Sequence, residues 1–536
     1  MERSPLESLR MKSPHIRPSL LQDLSTVTFF STENEKCQEE IFASFPNTFN
    51  LPLLEGTVGK KTPLTPLRIG AVFSGGPAAG GHNVLAGIFD ALGGGSLIGF
   101  LGGPGGIITA SYKELSKQDI DNYRNLGGFD LLGSGRTKIE TKEQMESVLK
   151  TCQSLDLDGL VIIGGDDSNT NAAILAEFFK SKHAKTKVIG VPKTIDGDLK
   201  NPYVPISFGF DTACRVYSEL IGNICKDAKS AQKYTHFIKL MGRSASHVTL
   251  ECALSTQPNY ALIGEEVHQN KNTLAQIVSN LCDLIGERSK LGKNYGVILV
   301  PEGLIEFIPE IASLIQELNT ALSRQETSSS FVIIAGLSQK AKQCFDSLPE
   351  AIQKQILLRR DPHGNVQVSL IETEKLLADL VGKEIEKRKA QGLFSGSFHP
   401  MTHFLGYEGR CAIPSDFDAA YCYTLGLSSA LLFRAGASGY MTFVSNPDEP
   451  ISKWKIGGVP LTSLLHMEVR KDKKKPVIQK ALVSCEGAAF TRFIKNKDSW
   501  ALKDAYLSPG PMQFHEEVYL PISVSLELAK KGDRPC

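Results

Sequence analysis

Two acidic, glycine-rich segments stand close together in this chain of 536 residues: GGDD at Gly164–Asp167 and PKTIDGD at Pro192–Asp198. Each follows a short apolar run of the kind that forms a buried strand, so the acids fall where a strand ends. Two adjacent carboxylates there are unfavourable unless a cation or strong donors compensate them. Magnesium held through one carboxylate plus substrate phosphates is the common arrangement. In the second segment, Lys193 can stabilise charge on a transferring phosphoryl group while Asp196 faces an acceptor hydroxyl as general base. Plainer roles compete: Asp167 or Ser168 can cap a helix beginning near Asn169, and DGD is good turn chemistry. Capping accounts for one acid of GGDD and leaves the other unexplained, so phosphoryl transfer is the chemistry expected.

A glycine loop supports this. FSGGPAAGGHN, Phe73 to Asn83, leads from a strand into a helix, and Gly75 and Gly76 leave backbone N–H groups free to point at an anion. A second loop, GGPGG at Gly102–Gly106, is weak alone. GTVGKKT at Gly56–Thr62 looks like a P-loop, but its glycines are too close and no buried strand precedes it. His399 and His403 have metal-like spacing, yet Pro400 opposes a regular helix and no cysteine pair lies near. Ser244, Ser246 and His247 lack the nucleophile elbow of a hydrolase.

The elements that must position these groups alternate in type from Leu67 onward. LRIGAVF, GLVIIG, KVIGV, THFIKL and YGVILV read as buried parallel strands, with helices predicted over Asn169–Lys180 and Asp211–Lys226. Such a sheet binds ligands at the carboxyl ends of its strands, where the motifs fall. Helical spacing over 305–391 predicts a helical insertion, with an exposed turn at Ser328–Ser330. Residues 1–66, rich in Ser, Pro and Glu, read as an extension that wraps the body or mediates subunit contacts.

With 59 basic against 58 acidic residues, the charge balance gives no reason to expect a nucleic acid or an anionic membrane as partner. The cluster Lys471, Lys473, Lys474 and Lys475 reads as a solvated loop. Eleven cysteines without a CxxC pair, several in apolar helical stretches, read as reduced core residues of a cytoplasmic protein. Neither a secretion signal nor a membrane span is expected.

SGGPAAGGHN, GGDDSNTNAA, PKTIDGD, KY followed by LMGR, PEG and GYEGR, in that order, resemble the phosphofructokinase superfamily and specifically its long pyrophosphate-dependent 6-phosphofructokinases. The resemblance runs from about Leu67 to the C-terminus. It implies an α/β fold of two Rossmann-like three-layer domains with mostly parallel sheets. One spans 67–205 and is completed by about 410–460, the other spans 206–409 with the helical insertion, and 461–536 packs on both. It also implies roles. Gly75 would contact pyrophosphate, Asp166 would hold magnesium, and Asp196 would take the proton of the sugar 1-hydroxyl. Thr194, Ile195, Met241, Gly242, Arg243, Glu302, Tyr407, Glu408, Gly409 and Arg410 would bind the sugar phosphate. Arg136 matches an arginine near the transferring phosphate, where a planar guanidinium forks onto its oxygens. Lys233 and Tyr234 match positions reaching into a neighbour's site, which implies a homodimer or a larger homo-oligomer.

ATP-dependent relatives usually have glycine at the positions of Asp167 and Lys193. A carboxylate at Asp167 would take the place of the ATP α-phosphate, and like charges about 4 Å apart repel by about 4 kcal/mol at an effective dielectric near 20. Lys193 would supply positive charge to the smaller donor. The implied reaction moves a phosphoryl group from pyrophosphate to fructose 6-phosphate. The alternatives are an ATP-dependent kinase of the same superfamily and a non-catalytic regulatory subunit.

Overall fold

A computed structural model of the chain describes residues 5–33, 38–323, 334, 336–358, 366–470, 473–510 and 524–529. In chain order its strands are β1 (Val27–Thr32), β2 (Leu53–Val58), β3 (Arg68–Phe73), β4 (Ser96–Phe100), β5 (Tyr112–Leu115), β6 (Gly159–Gly164), β7 (Lys187–Pro192), β8 (Thr235–Leu240), β9 (Tyr260–Ala261), β10 (Gly296–Pro301), β11 (Pro400–Leu405), β12 (Tyr440–Ser445), β13 (Lys455–Pro460), β14 (Leu465–Arg470) and β15 (Lys473–Ile478). The molecule is an α/β protein built on two main sheets.

The larger sheet has the order β1-β2-β13-β12-β7-β6-β3-β4-β5. Its centre, from β12 to β4, is parallel, and antiparallel pairs finish both edges. Alternate residues of the apolar strands serve opposite faces. Ile69, Ala71, Phe73, Val161 and Ile163 share a core with helices Gly81–Asp90 and Asp416–Arg434, whereas Val72, Leu160 and Ile162 pack with Lys142–Ser154 and Asp166–Ser181. Burial on both faces explains why β6 reads as an unbroken apolar run.

The smaller sheet, β11-β8-β10-β9, is parallel throughout. Ile238 and Leu299 continue the first core through helix Phe210–Ala231, while Phe237 and Ile298 meet Leu281, Leu377 and Val381 on the other face. Between β10 and β11 the chain is helical at Pro309–Ser323, Gln339–Ser347, Glu350–Leu358 and Thr373–Ala390.

Three local expectations change. Residues 27–58 do more than wrap the body, because β2 pairs with β13 and β1 with β2, adding an edge to the large sheet. Half-exposed edge strands lack the apolar signal of the central ones. The supposed lysine loop lies partly in the β14–β15 hairpin, where Lys474 pairs with Glu40 at 3.0 Å and Lys475 with Glu140 at 3.3 Å. Lys471 and Ser328–Ser330 lie outside the described residues. Finally, the helix expected from Asn169 begins at Asp166. No helix among the described residues is long and apolar enough to cross a membrane.

Candidate active site

The carboxyl ends of β3, β6 and β7 face those of β8, β10 and β11 across a cleft. After β3 the chain turns through Gly75 at φ +85°, a conformation that L side chains rarely adopt. The N–H of Gly75 donates to Gly135 O at 2.9 Å and its carbonyl accepts from Ser134 Oγ at 2.6 Å, fixing the loop. Arg136 follows, exposed at the rim. A Cβ on Gly76 would sit 1.8 Å from Arg410 Nη1, so a side chain there would displace the guanidinium that crosses from the smaller sheet.

At the end of β6, Gly165 precedes the helix and supplies no capping side chain, so the positive end of the helix faces this loop. Asn169 Nδ2 donates to the carbonyls of Gly164 at 2.7 Å and Gly165 at 2.9 Å, tying helix to strand. The two acids diverge. Asp166, 24% exposed, turns to the cleft with its Oδ2 3.4 Å from Lys480 Nζ, whereas Asp167, 52% exposed, pairs with Lys138 Nζ at 3.3 Å. Each carboxylate thus has a cation, the compensation that adjacent acids require.

After β7, Lys193 is only 7% exposed, and its Nζ lies 3.5 Å from where a Gly75 Cβ would stand. Burial, with the Arg410 guanidinium adding to it, pulls the Lys193 pKa down to about 8 against the opposing pull of Asp196 and Asp166. Thr194 Oγ1 accepts from the Asp196 N–H at 3.0 Å and donates to Asp198 Oδ1 at 3.3 Å. Ile195 is 3% exposed and belongs to the core, so only its backbone is open to a ligand. Burial and the Asp196 charge push the Asp198 carboxyl up to about 6, with Lys480 working the other way.

The smaller sheet brings the other half. Gly242 N–H donates to Glu302 Oε2 at 3.0 Å, and Arg410 Nε donates to Met241 Sδ at 3.0 Å. Burial pushes Glu302 up to about 7, and Asp196 adds to the push. Tyr407 is 70% exposed with Arg410 over its ring at 6.0 Å, and Glu408 Oε2 accepts from Gly406 N–H at 2.7 Å. Gly409 lies against Tyr217, whose hydroxyl donates to Gly406 O. Arg243 is exposed beside them. Lys233 and Tyr234 do not join this group, because they precede β8 and Met241 follows it. The strand separates them by roughly 20 Å at about 3.3 Å per residue.

Two residues at the site carry no signal in the sequence reading. Lys138 lies just beyond GSGRT and its type alone says nothing. Lys480 arrives from the segment after β15, and its place is set wholly by tertiary contacts. Burial works against its charge, but the Asp166 and Asp198 carboxylates hold its pKa above the ordinary value. His403, considered as a metal ligand, instead lies with its Nε2 2.9 Å from His236 Nδ1.

A sequence profile of the family described as Phosphofructokinase matches residues 68–432. The chain is 48% identical over 549 aligned positions, covering 100% of both chains, to a protein of Porphyromonas gingivalis named pyrophosphate–fructose 6-phosphate 1-phosphotransferase. It is 52% identical over 482 positions to the beta 1 subunit of the enzyme so named in Arabidopsis thaliana, covering 89% of this chain and 85% of that one. The crystal structure of a pyrophosphate-dependent phosphofructokinase from Nitrosospira multiformis matches with a TM-score of 0.53 at 16% identity, over 86% of this chain and 96% of that one, a likeness of fold.

Proposed function

This chain belongs to the phosphofructokinase family, and on that premise we propose that it transfers a phosphoryl group reversibly from pyrophosphate to the 1-hydroxyl of fructose 6-phosphate, giving fructose 1,6-bisphosphate and phosphate. The observation that carries this reading is the buried Lys193 ammonium beneath the Gly75 loop, under the influence of both Asp166 and Asp196. A buried cation there compensates the acids of both motifs and would also offset charge on an inorganic donor that lacks nucleotide contacts. Catalytic residues are intact, which speaks against a regulatory subunit.

The Gly75 and Gly76 loop receives the donor, with Arg136 at its rim. Asp166 offers a hard oxygen ligand at the cleft, and that fits a magnesium ion completed by substrate phosphates. When bound, magnesium would supply neutralisation of the donor's phosphate charge. Asp196 accepts the proton of the acceptor hydroxyl. Met241, Gly242, Arg243, Glu302 and Tyr407–Arg410 hold the sugar phosphate, with Arg410 joining the two halves through Gly76 and Met241. Lys233 and Tyr234 serve a neighbouring subunit's site in a homodimer or larger homo-oligomer. The buried free cysteines fit a reducing compartment such as the cytoplasm.

A coupled assay at fixed magnesium and fructose 6-phosphate, comparing pyrophosphate with ATP, is the test. Turnover with pyrophosphate and none with ATP is expected. The reverse preference rejects the reading.

A further inference from the structure

Lys480 has no part in the reaction as described so far, yet its ammonium stands at the centre of the cleft. Its Nζ donates to Ser244 Oγ at 2.8 Å and lies 3.4 Å from Asp166 Oδ2 and 3.6 Å from Asp198 Oδ2. The backbone that carries it is fastened on both sides. On the large-sheet side Ile478 N–H donates to Thr170 Oγ1 at 3.2 Å and Ala481 N–H to Asp198 O at 2.8 Å. On the small-sheet side Ala481 O meets His247 Nε2 at 3.0 Å, and Val483 N–H donates to Glu265 Oε1 at 3.0 Å. A lysine on so ordered a strap differs from a solvated surface charge: its base is fixed and only its four-carbon stem is free to swing.

Asp166 Oδ2 is the oxygen offered to a divalent cation, and an ammonium and a metal ion cannot both rest against it without strong repulsion. Cation loading therefore moves the ammonium off Asp166. Arg243 repels it on the Ser244 side while Asp198 Oδ2, 3.6 Å away, keeps it at the cleft, and from there the stem reaches the space between Asp166 and Asp196 where donor phosphate oxygens would lie. We propose that Lys480 is a further catalytic residue, passing from Asp166 onto the pyrophosphate oxygens when the donor and its cation bind. This rests on the pyrophosphate reading above and adds to it a second ammonium beside that of Lys193.

The test separates the two charges that the ammonium touches. Full-length, metal-free wild type, Lys480→Met, Lys480→Gln and Lys480→Arg are compared, with circular dichroism melts to verify folding. Mn²⁺ affinity is read by electron paramagnetic resonance without substrates, and pyrophosphate affinity by calorimetry at saturating magnesium. In both neutral variants Mn²⁺ is expected to bind more tightly, by about threefold or more. Pyrophosphate is expected to bind about tenfold to a hundredfold more weakly, the size of a lost charge-assisted contact. Lys480→Arg should restore pyrophosphate binding. A parallel fall in both affinities, as structural damage would give, or an unchanged pyrophosphate affinity overturns the proposal. Wild-type turnover with pyrophosphate is measured first, so that failure of the functional reading shows there and not in the variants.

Discussion

Asp196 and Asp198 belong to one motif, but the fold gives them different work. Asp196 is half-exposed at the cleft, whereas Asp198 is buried against Thr194 and Lys480. Asp196→Ser should therefore keep sugar-phosphate binding, measured by calorimetry, while turnover falls by about two to four orders of magnitude, the usual size of a general-base effect. Glu302 carries a different penalty. Its folded pKa of about 7 exceeds the ordinary 4.5, so the folded state holds the proton more tightly and stability declines as pH rises between those values. Above pH 7 the penalty is complete, and Glu302→Gln, which keeps an acceptor for Gly242 N–H, should stabilise the ligand-free protein there by on the order of 2–3 kcal/mol. Below about pH 4.5 it should change nothing, and the drop in sugar-phosphate affinity should appear above pH 7, where the carboxylate it replaces is ionised. Urea unfolding at pH 8 and pH 4.5 reads the difference. Asp167, half-exposed and paired with Lys138, is screened more than its sequence position indicates, so the exclusion of ATP proposed for it would be more steric than electrostatic. Asp167→Gly combined with Lys193→Gly should admit ATP while crippling the pyrophosphate reaction, and equilibrium binding of ATP decides it.

Helix Asp166–Ser181 packs its apolar face in the core and is tied at its start by one buried amide. Asn169 Nδ2 bonds the carbonyls of Gly164 and Gly165 and lies 3.4 Å from Val191 O, joining the ends of β6 and β7 where both acidic motifs begin. A Cβ on Gly190 would lie 2.0 Å from Asn169 Oδ1, so Gly190→Ala must expel that amide. The expected result is a loss of about 2–4 kcal/mol in urea unfolding, from the displaced buried amide and overpacking, since the Gly164 and Gly165 carbonyls keep the backbone donors Lys193 N–H and Asn169 N–H. Turnover should fall with it, while the KM for fructose 6-phosphate changes little, because Met241 and Glu302 stand on the other sheet. An unchanged stability would show that the helix is held by its apolar face alone. The same elements explain what could be read in advance. GLVIIG and GGDD were legible because a doubly buried strand and its terminal acids are consecutive in sequence. Lys480 was not, since VIQKAL has no pattern that distinguishes a strap across a cleft from any other segment. Nor were β1 and β2, whose half-exposed residues resemble a loop until β13 is there to pair with.

The molecule as a whole places Lys233 and Tyr234 at the amino end of β8, remote from Met241 and Gly242 at its carboxyl end. Lys233 is exposed with its Nζ 5.3 Å from the Tyr234 ring centre, and Tyr234 itself is held at φ +71°. A non-glycine residue in that conformation is strained by on the order of 1 kcal/mol, a strain that persists where the surroundings or a function require it. If the pair acts in a partner's site, two chains must be joined so that each completes the other. In an isologous dimer both sites would then draw on both subunits. Asp196→Ser and Lys233→Ala would each be inactive alone, yet a hybrid dimer would hold one site with both defects and one with neither. Random reassociation of equal amounts should therefore recover about a quarter of wild-type turnover, since half the dimers are hybrids and half their sites are whole. A mixture that stays inactive after demonstrated subunit exchange would mean that Lys233 serves its own chain, and the shared site would have to be abandoned.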